Sequence, residues 1–333
     1  MKGLVAQAFL LSIGILGYST LARAATATEP APQAQQIAAG VWLVPGGIRA
    51  DREPDGNSVI FAAPDGLVVL DTGRHDWQTR ALIDFATASH KPLAAVVNSH
   101  WHLDHVSGNP ALRAAFPGLR VYASDAMNSA LAGFLAASAR DSEHYLNDES
   151  IPADTRADIR LDLATIRNGA ALKPDVIIKA SGSLKLAGRR FDVHLAPDAA
   201  TAGDVWLFDR SSRIAALGDL VTLPAPFLDT ACPQGWLRAL DDIARTPFAL
   251  AIPGHGTPMS RAQFADYRNA FATFIKCADS SDPGSTCAAQ WSDAVKPLLD
   301  ASPREMQRAS AMAGYYVDLL RAHGGRSQYC ATS

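Results

Sequence analysis

Apolar residues in the first part of the chain fall in short runs closed by Pro, Asp and Gly. "GVWLVPG" (40–46), "SVIFAA" (58–63) and "GLVVLDTG" (66–73) read as three strands set close together. The period then lengthens. In "DWQTRALIDFATAS", Trp77, Ala81, Leu82, Phe85 and Ala88 fall on one helical face. "LAAVVNS" (93–99) and "LRVYAS" (119–124) return to the strand pattern. Residues 125–170 are helical in pattern and richer in charge, and they predict an insert or lid over the strands around them. Within it "ESIPADTRADIR" reads as a solvated helix face. A second strand set follows: "DVIIKA", "GSLKLAG", "RFDVHLA", "DVWLFD", "RIAALGD" and "FALAIPG". The last third is helical. Ser260 and Gln263 have capping-box spacing ahead of a stripe of Phe264, Tyr267, Phe271 and Phe274. Ser302, Pro303 and Glu305 mark another helix start. Strands, helix, strands, helices is the order of an α/β protein with sheets packed under helices.

The N-terminus departs from this pattern. Lys2, an apolar stretch and "LARA" ending at Ala24 predict a cleavable export signal over 1–24, followed by a flexible lead over 25–37. Cleavage would leave 28 basic residues against 33 acidic ones, so the net charge moves from −3 to −5. No basic stripe remains, which disfavours a nucleic-acid partner. No second stretch is apolar enough to anchor the chain in a membrane. The expected location is the periplasm or the exterior. There an even cysteine count predicts two disulfides, Cys277–Cys287 and Cys232–Cys330 being favoured among the three possible pairings. Nothing in the sequence speaks to oligomeric state.

The chemistry concentrates in "NSHWHLDHVSGN" (98–109). His100 and His102 are two apart at a strand end and point to one side; Asp104 and His105 follow as the chain turns. Imidazole and carboxylate donors on so short a segment suit Zn²⁺, iron or Mn²⁺. Two later strands end on residues of the same type, Asp219 in "RIAALGDL" and His255 in "FALAIPGHG".

Taken together, "LVVLDTG", "NSHWHLDH", "TAGDVWL", "GDL" and "PGHG" resemble, in order, the signature segments of the metallo-β-lactamase superfamily, over roughly residues 40–260. "VNSHWHLDHVSGN" and the cysteine-bearing helical tail are similar to exported members associated with quinoprotein systems. The resemblance implies a four-layer αββα sandwich spanning 38–260, with 261–333 as a helical extension packed on the same domain. It implies two metal positions on the sandwich edge. His100, His102 and a third histidine would hold one; Asp104, His105 and His255 the other; Asp219 would bridge them; and Asp71 would orient ligands without binding metal.

The third histidine is missing. Aligning Thr201, Gly203 and Asp204 with the family's turn puts Ala200 at its position. Three readings stay open. A single zinc sits at Asp104, His105 and His255; or Asp198, ahead of His194, substitutes for the missing ligand; or the site binds without catalysing. The expected activity is hydrolysis of an ester, lactone, β-lactam, or phosphorus or sulfur ester of a small molecule by metal-bound hydroxide, with Asp104 orienting it or carrying its proton. The cofactor would be one or two Zn²⁺, with iron allowed by the donor set. The alternatives are a mononuclear iron redox member of the fold and a non-catalytic metal-binding protein of an exported redox system. Trp101, the "LPAPFLD" loop (223–229) and the 125–170 segment are candidate walls of an apolar pocket.

Overall fold

The structure, a computed structural model, describes residues 32–299 and 302–330. The expected export signal and most of the lead lie outside the described residues. The lead's last residues do not: Gln35–Ala38 forms strand β1. It opens a seven-stranded sheet of order β1 to β7, continuing with β2 (Val41–Val44), β3 (Ser58–Ala63), β4 (Gly66–Leu70), β5 (Leu93–Val97), β6 (Arg120–Ala123) and β7 (Val176–Ile177). The first four strands run antiparallel and the rest join in parallel. A six-stranded sheet holds β8 (Gly182–Leu186), β9 (Arg189–Pro197), β10 (Gly203–Asp209), β11 (Ile214–Thr222), β12 (Leu250–His255) and β13 (Met259–Ser260), in order β13-β12-β11-β10-β9-β8.

Strand alternation explains the layers. Val68 and Leu70 of β4 join Phe61, Phe191, Val193, Val205 and Ile252 in the core between the sheets. Leu67 and Val69 point the other way, against Leu82 and Ala86 of helix α1 (Asp76–Ala88). On the far side, Trp206, Phe208 and Leu217 meet α7 (Pro233–Arg245), α8 (Arg261–Ala278), α9 (Gly284–Val295) and α10 (Pro303–Ala322). This is the expected αββα sandwich, and the C-terminal helices belong to its outer layer. The capping box of α8 is formed, and Phe264, Tyr267, Phe271 and Phe274 are all buried. Burying each such side chain is worth about 1.5–3 kcal/mol.

Two faces differ from the sequence reading. In α1 the buried residues are Gln78, Thr79, Leu82 and Ala86, so the inward face is turned from the expected one. The cause is polar: the Gln78 side-chain amide donates to the carbonyls of Val44 and Gly56. The second is the charged segment of the insert, which comprises α4 (Ala126–Ala132), α5 (Phe134–Ser142) and α6 (Ala153–Arg167). The face of α6 carrying Thr155, Asp158, Ile159, Asp162 and Leu163 is buried, not solvated. Asp158 takes Arg52 Nε on both oxygens, receives the Glu53 backbone N–H at 2.8 Å and faces His75 Nε2 at 3.1 Å; Asp162 pairs with Arg74. The insert is therefore fastened to the loops that precede β3 and α1.

Both expected disulfides are present, Cys232–Cys330 and Cys277–Cys287, which fits an oxidising compartment. Among the described residues no helix is long and apolar enough to cross a membrane.

Candidate metal centre

Beyond β5 the chain leaves the first sheet. Asn98 and Asn109, the two ends of the histidine segment, clasp each other: Asn109 Nδ2 donates to Asn98 Oδ1 at 2.8 Å, and Asn98 Nδ2 reaches the Asn109 oxygen at 3.3 Å. Between them two short helices begin, α2 (Leu103–Val106) and α3 (Asn109–Ala115), with His102 preceding α2 in extended conformation. The segment thus folds onto itself and brings its donors inward.

His105 is the hub. Its Nε2 lies 3.1 Å from Asp219 Oδ1, 3.3 Å from His255 Nε2 and 3.6 Å from Asp104 Oδ2. His255 Nε2 is 3.0 Å from Asp104 Oδ2 and 3.5 Å from Asp219 Oδ1. Asp219 Oδ2 faces His100 Nε2 at 3.6 Å and His102 Nδ1 at 4.0 Å. Among the described residues two groups could hold a metal ion: His100, His105 and Asp219, and Asp104, His105 and His255. His105 belongs to both, and Asp219 of the first group also lies 3.5 Å from His255 of the second; His102, expected as a ligand, is in neither.

The close approach depends on glycine at two places. A Cβ at Gly56 would lie 2.4 Å from the His105 ring, and one at Gly254 would lie 2.0 Å from Asp219 Oδ1. Neither could be accommodated without displacing a donor.

Asp71 sits behind the cluster, fully buried, in left-handed backbone (φ 63). It accepts from the Ser99 N–H at 2.7 Å, the Ser99 hydroxyl at 2.6 Å and His105 Nδ1–H at 2.8 Å. Because the Ser99 hydroxyl donates to Asp71, it accepts from His100 Nδ1–H at 2.9 Å. With each Nδ1 committed to Asp71 or Ser99, it is Nε2 that both rings turn toward Asp219, and His100 Nε2 and Asp219 Oδ1 are buried without a hydrogen-bond partner. His100 Nε2 stands 3.6 Å from Asp219 Oδ2, beyond hydrogen-bond reach, and an unpartnered imidazole nitrogen beside an unpartnered carboxylate oxygen fits a metal of the N/O-binding class.

Charge agrees with this. Burial and the neighbouring imidazoles of His102 and His105 hold His100 well below the ordinary histidine range. Burial opposes charge on His105 as well, but Asp219, Asp104 and Asp71 outweigh it and raise that ring well above its usual range. The cluster demands positive charge at its centre.

Ala200 is buried in the turn between β9 and β10. Asp204 pins that turn by accepting the Thr201 N–H at 2.8 Å, and burial pushes its own carboxyl up to about 7. Neither metal-holding group includes Asp198, which is in left-handed backbone (φ 51) and only half-buried. His194 stacks on Trp206 across the β9–β10 pair, 3.7 Å between ring centroids. The expected substitutes for the missing ligand are thus not gathered with the cluster.

His102, Asp104, Asp219 and His255 share the lining of a cavity of about 130 Å³. Its apolar walls come from Trp101 and Leu103, from Phe134 and Leu135 of α5, and from Leu223 and Phe227 of the 223–229 loop. Glu53 and Arg74 line it too, and no local sequence signal marked either.

Comparison with known proteins follows this geometry. Residues 52–255 match the Metallo-beta-lactamase superfamily. A linear primary-alkylsulfatase from Pseudomonas sp. (strain ATCC 19151) is 24% identical over 222 residues, covering 60% of this chain and 41% of that protein. Among solved structures, a metallo-beta-lactamase from Pontibacter korlensis superposes with a TM-score of 0.54 at 20% identity, over 72% of this chain and 99% of that one. A stereoselective inverting sec-alkylsulfatase from Pseudomonas sp. gives a TM-score of 0.57 at 18% identity, over 87% of this chain and 50% of that one. The chain thus spans half or less of each alkylsulfatase. At these identities the structural likeness shows the fold alone.

Proposed function

The chain belongs to the metallo-β-lactamase superfamily, and on that premise we propose that it is a metal-dependent hydrolase that cleaves an ester-type bond in a small molecule with an apolar body. One observation carries this reading: side chains able to hold a metal ion open into a cavity whose other walls are apolar. In this reading His100 and His102 would hold one ion and Asp104, His105 and His255 the other, with Asp219, near both His100 and His105, shared between them. A zinc ion bound there supplies a Lewis acid and brings the pKa of water down to about 7. The protein's own groups do the rest. Asp104, with one oxygen toward His255 and the other 3.9 Å from Arg74 Nη2, orients the attacking water. Trp101, Phe134, Leu135 and Phe227 hold the apolar part and exclude bulk water.

With Ala200 where the third histidine was expected, His100 and His102 have Asp219 beside them but no third histidine, so the second position is the tighter one. We expect the purified chain to retain about one zinc after dialysis, three protein donors sufficing for a catalytic site. Ala200→His should raise the content by about one equivalent. An unchanged content would show that the gap does not limit binding. Assay against esters, lactones, alkyl sulfates and β-lactams then tests the activity. Zinc without turnover on any of them would indicate a binding protein, and iron would indicate redox chemistry. Alkyl sulfates are the second reading, supported by the alkylsulfatase relative and by the apolar walls. Two disulfides and the expected export signal support a periplasmic or secreted location.

A further inference from the structure

His102 differs from the other two histidines of its segment in how its outer nitrogen is satisfied. Asp71 serves His105 directly and His100 through Ser99. The Nε2 of His102 instead meets the hydroxyl of Thr230 at 3.0 Å, 128 residues further along the chain. That hydroxyl lies 2.9 Å from the carbonyl oxygen of Ala200. A hydroxyl has one proton and a carbonyl can only accept, so Thr230 donates to Ala200 and accepts from His102 Nε2–H. The remaining nitrogen, Nδ1, then faces Asp219 as a bare lone pair. The ring cannot swing away: Trp101 and Phe227 stand edge-on to it, at centroid distances of 4.6 and 5.1 Å.

Thr230 is itself held by the end of the chain. Cys232, two residues on, is bonded to Cys330. The Ser327 N–H donates to the Ala231 carbonyl at 3.1 Å, and the Ser327 hydroxyl donates to the Asp229 carbonyl. Tyr315 of α10 donates its hydroxyl to Asp229 Oδ1 at 3.0 Å.

We propose that Thr230 is a positioning residue, held by the C-terminal tail, which fixes His102 as an Nδ1 donor at the metal position lacking a third histidine. The proposal rests on the metal-centre reading above. It gives the helical extension a part in the site although none of its residues is a ligand: it aligns the hydroxyl that sets the state of His102. With two histidines where three were expected, the orientation of each counts for more.

The test compares the full-length protein with Thr230→Val and Thr230→Ser. The tautomer of His102 is read from its imidazole ¹⁵N shifts in metal-free protein at alkaline pH. Zinc affinity is read by competition with a chromophoric chelator, in Ala200→His background as well as in the parent. Thr230→Val should populate the Nδ1–H form of His102 and weaken zinc about 10–100-fold at the first position, the usual effect of losing an orienting partner. Thr230→Ser should restore both. A valine variant whose His102 stays in the Nε2–H form, or whose zinc affinity stays within about twofold of the parent, would overturn the proposal. If the parent protein binds no zinc, the metal reading fails, while the ¹⁵N shifts still decide whether Thr230 sets the tautomer.

Discussion

His105→Ala should leave the protein without bound metal and without hydrolytic activity. His105 is the one residue common to both metal-holding groups, and its Nε2 lies within 3.6 Å of Asp219, His255 and Asp104. Removing it takes a ligand from the tighter of the two proposed positions and also breaks the group around Asp219 and His100. The loss should therefore exceed the roughly 10–100-fold that an orienting residue costs. There is a structural penalty as well. Asp71 is fully buried and keeps only its two Ser99 bonds once the ring is gone, so part of its desolvation is left uncompensated. His255→Ala should also abolish activity, but by emptying one group only. Metal analysis after dialysis, beside the ester panel, separates the two variants. Metal and activity both surviving in His105→Ala would sink the assignment of the site.

The second large effect is on stability. Asp158→Ala should destabilise the fold by about 3–5 kcal/mol, the range for breaking a buried ion pair from one side. Asp158 is fully buried and gathers Arg52, His75 and the Glu53 backbone N–H. Without it, buried His75 keeps only Asp55 at 2.8 Å. The pH dependence has a definite sign. Burial works against the Asp158 charge, but hydrogen bonds from His75 and Arg52 outweigh it and lower the carboxyl to about 2. Its contribution is present above the unfolded carboxylate value of about 4 and disappears as the pH falls through about 2. Burial opposes charge on His75, and Asp158 with Asp55 raises its pKa. That contribution is complete below the unfolded histidine value of about 6.5 and is lost as the pH rises through the elevated folded value. Denaturant titrations of parent and variant should thus differ most between about pH 4 and 6.5. A gap that does not narrow on acidification would refute the pairing.

Much of this molecule could be read from the chain. Strands such as Ser58–Ala63 announce themselves by apolar runs between turn residues. The candidate ligand segments could be picked out because His100 and His102 follow the strand Leu93–Val97 and His255 ends the strand Leu250–His255, whereas Asp219, expected at a strand end, lies inside Ile214–Thr222. What could not be read shares one cause. Asp158 and Asp162 look like any surface acid on a helix until Arg52, His75 and Arg74 are placed opposite them, more than 80 residues away in sequence. Gln78 is polar in composition and internal in fact, because its partners are carbonyls of other segments. Thr230 carries no motif at all. Periodicity reports which face is apolar; it does not report which polar groups find partners.

The two sheets contribute different parts of the centre. The histidine segment leaves the first sheet, and Asp219 and His255 belong to the second. Apolar packing between the sheets is non-directional and by itself sets no alignment along the strands. Hydrogen bonds beside the centre do: Val205 N–H to the Ser99 carbonyl at 2.6 Å, and Asn57 N–H to the Gly254 carbonyl at 2.7 Å. These act as registration pins for the whole sandwich. A displacement of about 1 Å at a reacting centre can cost a hundredfold in rate, so a core substitution that lets one sheet slide on the other, however far from His105, would be felt first as misalignment of the donors.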